Sequence, residues 1–162
     1  MKHLLFAFTK YMFALVLVPT AMITNAQGQS AAGKNQYNVT SNHLAIEGYD
    51  PVSYFTDHAA VEGKNDLNYT YDGVVYHFVS TQHLQAFKAN PKKYQPQYGG
   101  WCAYAMGATG EKVEVDPETF KVLDGKLYLF YNSFFNNTKK SWDKDEANLK
   151  QKADGNWKKF TH

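Results

Sequence analysis

Two Asp-Gly dipeptides, Asp72-Gly73 and Asp124-Gly125, each join runs rich in β-branched and aromatic residues, and they constrain this chain more than any other feature. A two-residue type I′ turn needs positive φ at both central positions, and its twist matches that of the strands it connects. Asp-Gly meets the first requirement at little cost. Residues 67–71 with 74–79 therefore predict one hairpin, and 120–123 with 126–131 a second. Between them, Ser80 sits at a helix N-cap position, Leu84 and Phe87 share a helical face, and Asn90-Pro91 closes that helix. Pro91 opens a further short turn through Tyr94. Past Gly99-Gly100, residues 101–106 read as a short helix stopped by Gly107.

The tail from 133 to 157 carries Phe135, Trp142 and Leu149 at seven-residue spacing, with Ala153 and Trp157 continuing the same side. It reads as an amphipathic helix laid over the sheet. Upstream, Leu44-Ala45-Ile46 reads as a first strand, Gly48 to Pro51 as a turn, and 52–55 as either a strand or one helical turn. The expected fold class is α+β: a small antiparallel β-sheet built from two Asp-Gly hairpins, packed with short helices and a C-terminal amphipathic helix.

Residues 1–26 have lysines at positions 2 and 10, an apolar run over 11–23, and Thr24-Asn25-Ala26 before a polar stretch. That is the pattern of a secretory signal peptide cleaved near Ala26. The run is too short for a span and is interrupted by Pro19, so no stable membrane anchor is expected after processing. Residues 27–42 are polar and small, and read as a disordered linker. A single domain over 43–160 follows, with a core at 43–94, a second hairpin region at 95–131 and a helical tail at 132–160. The expected location is periplasmic or secreted.

Processing lowers the basic residues from 17 to 15, against 15 acidic ones, and the chain has no arginine. A near-neutral protein without the preferred reader of phosphate and guanine is not expected to bind nucleic acid. With one cysteine, Cys102, no internal disulfide can form, so the fold stands on its core. Aromatic residues are 16% of the chain, and ring packing should dominate that core.

Cys102 and Met106 are four apart and share a face if helical. A thiolate, a thioether and imidazoles from His83 and His77 suit a soft ion such as Cu(I). Free amides after Gly99-Gly100 would favour the Cys102 thiolate. The other readings are that Cys102 and Met106 fill the core, or that Cys102 is a redox thiol. His77 lies in a strand, facing opposite to Tyr76 and Phe78. There is no nucleophile elbow, phosphate-cradling glycine loop or HExxH, and a Cys–His hydrolase would need an orienting group such as Asp50 or Asn90 beside Cys102 and a histidine. The chain is not expected to be an enzyme.

The hairpin YTYDGVVYHF, followed by STQHLQAF and ANPKKY, resembles the YHS-domain family, and Asp50-Pro51-Val52 resembles that family's opening DPV. The resemblance covers roughly 42–94, and the remainder looks like a longer exported branch. It implies metal association through cysteines in three places. Here those places hold Ser53, Val79 and His83, of which only His83 retains ligand chemistry. Three functions follow as expectations. One is an exported module binding a soft metal, most readily copper. Another is a structural or protein-interaction module without metal. The third is a thiol-redox protein acting through Cys102.

Overall fold

Both Asp-Gly turns form as the residues dictate. In the computed structural model, which describes residues 36–161, Asp72 and Gly73 have φ of 51° and 75°, and Asp124 and Gly125 have 52° and 70°. The first turn joins β1 (Lys64–Tyr71) to β2 (Val74–Phe78), with Tyr69 opposite Tyr76. Val74, Tyr76 and Phe78 point into the core, and His77 lies on the other, half-buried face. The second turn joins β3 (Asp116–Leu123) to β4 (Lys126–Phe130). The fold class is α+β.

The hairpins do not merge into one sheet, which corrects that part of the expectation. Among the described residues each sheet has two strands. The neighbour beyond β4 is Pro96, bridged to Leu127, and a proline has no N–H with which to extend a ladder. Side chains join the halves instead. Leu127 and Leu129 enter one core with Tyr54, Tyr76, Phe78 and Phe87, while Tyr128 and Phe130 enter a second with Tyr98, Met106 and Trp142.

Short helices fill the space around the hairpins. The ambiguous 52–55 segment becomes α1 (Ser53–Thr56). The Ser80 hydroxyl accepts from the His83 N–H and starts α2 (Thr81–Ala89), and Pro91 opens α3 (Pro91–Tyr94). Instead of a strand at 44–46, Leu44 makes one parallel bridge to Val75, and a tight turn follows at Ile46–Gly48. The next helix, α4 (Ala103–Ala108), contains Gly107 and does not stop there. An added Cβ on Gly107 would lie 2.5 Å from the Leu149 carbonyl oxygen, so glycine is what lets this helix approach the tail.

The tail is not one helix. Asn132–Ser133 and Asn136–Asn137 form a tiny hairpin, β5 and β6, with Phe134 and Phe135 fully exposed at its tip. Phe135 therefore does not dock. Its regular spacing to Trp142 is broken by the turn, in which Phe134 has φ of 42°. Trp142 closes α5 (Thr138–Trp142), while Leu149 and Ala153 lie on α6 (Glu146–Trp157), and all three are buried. Lys121 from β3 binds both Asp143 and Glu146 at the break between these helices. The Asp143 carboxyl is held below its usual range by Lys121 and then Lys139.

The expected signal peptide, and the linker as far as residue 35, lie outside the described residues. From Gln36 onward the chain is not a free linker. The Asn38 N–H donates to the Gly99 carbonyl at 2.8 Å, the Tyr37 hydroxyl to Asp72 at 2.8 Å, and Val39 bridges to Ala45. Polar composition hid these long-range partners. Among the described residues no helix is long and apolar enough to cross a membrane.

Two substitutions test this packing. Gly107→Ala forces α4 and α6 apart and should cost about 2 kcal/mol or more in urea unfolding. Unchanged stability would show that the close approach is not needed. The Tyr128 hydroxyl is buried without a hydrogen-bond partner, so Tyr128→Phe should leave stability equal or raise it by about 1 kcal/mol. A clear loss in the melting curve would mean that the hydroxyl is satisfied.

Candidate functional site

Three regions hold the residues with chemistry. The first is organised by Asp50, whose side chain is completely buried. Its Oδ1 accepts from the Val52 N–H at 2.8 Å, and its Oδ2 accepts from the Val79 N–H at 2.9 Å and from His83 Nδ1 at 2.7 Å. One carboxylate thus ties the Asp-Pro turn, the end of β2 and the first turn of α2. A buried carboxylate is tolerated only when its lone pairs are met in this way.

His83 lies at the edge of this arrangement. Its Nδ1 faces Asp50, and its Nε2 lies 3.4 Å from Thr56 Oγ1 and 4.0 Å from an Asp57 oxygen. Carboxylate, imidazole and hydroxyl in sequence have the outline of a proton relay. The Thr56 hydroxyl, however, bonds back to the Val52 carbonyl at 3.2 Å, as a helical threonine does. None of Asp50, Thr56 and His83 lines the large cleft described below. The set reads as a fold-fixing tie.

The second region holds the sulfur atoms. Cys102 is the residue just before α4, its own N–H donating to the Val113 carbonyl at 2.9 Å. The expected display of free amides to its thiol is not found. Its Sγ accepts from the Tyr131 N–H at 3.3 Å and lies 3.5 Å from Thr138 Oγ1, and the side chain is fully buried. Met106 is equally buried, in the cluster of Tyr98, Tyr128, Phe130 and Trp142.

The partners of Cys102 and of His83 have no residue in common. His77 lies elsewhere again, across from Asn68 and beside Gly48. Among the described residues no group of three or more His, Cys, Asp or Glu side chains is gathered as a metal ion would need. The four residues proposed from sequence, Cys102, Met106, His83 and His77, do not fit a shared copper centre, because the sulfur atoms sit in a packed core and the two imidazoles are occupied or placed apart.

The third region is a cleft of about 580 Å³ that sequence reasoning missed. Tyr37, Val39, Ile46, Tyr76 and Trp157 give it apolar walls. Gln95, Lys92, Lys126, Lys158 and Asp154 supply polar groups. The Gln95 amide donates to the Tyr76 hydroxyl at 3.0 Å, and the Tyr98 hydroxyl donates to Asp154 at 2.9 Å. Burial pushes the Tyr76 phenol up to about 12 despite the opposing Gln95 hydrogen bond, so it stays a neutral donor. Left-handed backbone at Ile46, Tyr98 and Gly99 shapes the rim. At Gly99 an added Cβ would meet the Gln36 carbonyl at 2.4 Å and the Trp157 ring at 2.9 Å. These residues come from six separate stretches, so no local motif could announce them.

The profile of the YHS domain family matches residues 52–98. No curated protein and no solved structure matches the chain. The match begins two residues after Asp50 and ends at Tyr98, so it includes α1, the first hairpin, α2 and α3.

Asp50→Asn places an amide where two backbone N–H groups and an imidazole converge, and should cost about 3 kcal/mol in chemical denaturation. His83→Gln, which keeps a donor near Asp50, should cost about 1 kcal/mol. An Asp50→Asn protein as stable as the parent would show that the tie is dispensable.

Proposed function

We propose that this chain, whose residues 52–98 match the YHS domain family, serves as an exported, non-catalytic binding module in which Cys102 and Met106 are core residues, and that it does not carry copper. The observation supporting this reading is the engagement of Cys102 Sγ by the Tyr131 N–H inside a closed core. The closed core around the fully buried Cys102 would have to open to admit an ion or a disulfide partner. The absence of arginine and the balanced charge support a partner other than nucleic acid. The leader over 1–26 supports export, with cleavage near Ala26.

The test is made at Cys102. The native protein should resist thiol alkylation until it is unfolded, and titration with Cu(I) should give no uptake that depends on Cys102. Cys102→Ala leaves the Tyr131 N–H without its acceptor and should cost about 1–3 kcal/mol in thermal or urea unfolding. Stoichiometric Cu(I) binding that vanishes in Cys102→Ser while the melting temperature stays unchanged would overturn the reading in favour of copper.

A further inference from the structure

We propose that the cleft between the N-terminal segment, β2 and the end of α6 binds a small organic anion, an apolar body bearing a carboxylate. The proposal rests on reading the chain as a binding module, and it names what that module takes. The volume of about 580 Å³ lies in the range of small-molecule sites, and the walls set aromatic and aliphatic surface beside polar and charged groups in nearly equal measure. Tyr37, Tyr76 and Trp157 offer ring surface to the body of the ligand.

Charge decides which head group fits. Lys92, Lys126 and Lys158 line the cleft against a single acid, Asp154, which already accepts from the Tyr98 hydroxyl. None of the three lysines forms an ion pair among the described residues. The chain as a whole is nearly neutral after loss of its leader, so this is a local excess of positive charge. The Tyr76 hydroxyl accepts from Gln95 and keeps its own proton to donate. A carboxylate would meet ammonium groups at the rim, while the body displaces water from the aromatic wall.

The site is largely outside the family match. Tyr37, Val39 and Ile46 precede residue 52, and Lys126, Trp157 and Lys158 follow residue 98.

Titration of the purified protein with 2-naphthoate and with its neutral counterpart 2-naphthamide, by calorimetry, tests this. The acid should bind saturably and about tenfold more tightly than the amide, and the difference should shrink as salt is raised. The combined variant Lys92→Gln, Lys126→Gln, Lys158→Gln, altered only at exposed positions, should bring the acid down to the affinity of the amide without changing the melting temperature. Phe134→Ser with Phe135→Ser should leave binding untouched. No binding of the acid, equal binding of acid and amide, or loss of binding in the Phe134 and Phe135 variant would overturn the proposal. Thiol alkylation and the Cu(I) titration read out Cys102 separately, so failure of the cleft and failure of the metal-free reading are distinguishable.

Discussion

Strand β4 buries both of its faces, and most of the molecule is arranged to meet that demand. In a two-stranded ribbon one face normally meets water, so residues alternate in and out. Here Leu127, Tyr128, Leu129 and Phe130 are all buried. Each such side chain contributes about 1.5–3 kcal/mol when removed from water. Covering the Leu face requires the first hairpin and α2. Covering the Tyr and Phe face requires α4, α5 and α6. The division into two cores follows from this strand, and so does the close approach of α4 to α6 at Gly107, which brings Leu149 and Ala153 of α6 into the second core.

The first core needs a polar tie as well as apolar filling. Asp50, next to Pro51 and Val52 at the start of α1, has no exposure to solvent. Its three donors come from segments otherwise free to shift relative to one another. Apolar contact is tolerant of small slides, whereas three N–H groups directed at one carboxylate are not. The tie therefore fixes where α2 starts relative to the end of β2. His83 fits that account better than a ligand's role: its position on the first turn of α2 is what brings Nδ1 to the carboxylate.

Local signals in the sequence proved legible where the physics is local. Asp-Gly turns, a serine cap, a proline at the first helical position and the alternation over 74–78 each depend on neighbours a few residues away, and each is found. The features that mislead depend on distant partners. Met106 lies on a short helix and Cys102 just ahead of it rather than on it, and the role of the thiol is set by Tyr131 and Thr138, 29 and 36 residues on. Asp50 meets Val79 and His83 at comparable separations. The seven-residue spacing of Phe135, Trp142 and Leu149 is real in the sequence but spans a tight turn and a helix break, so only two of the three enter the core. Periodicity measures a face only within one continuous element.

The segments on either side of residues 52–98 do more than lengthen the chain. The outer edge of β2 would otherwise present unpaired backbone groups, a site for unwanted strand pairing. Residues 43–45 cover it: the Val75 N–H donates to the His43 carbonyl, and the Ala45 N–H to the Val75 carbonyl. The chain can reach that edge only by passing over Gly99, where Asn38 is bonded and where the end of α6 brings Trp157. Edge protection and tail docking thus converge on one rim. Two layers that meet along a rim while one is held off by a strand and the other by a helix leave a concavity between them, and this one has aromatic walls with lysines at its mouth. The cleft is in this sense a consequence of how the flanking segments seal the matched region, and its chemistry belongs to the residues that do the sealing.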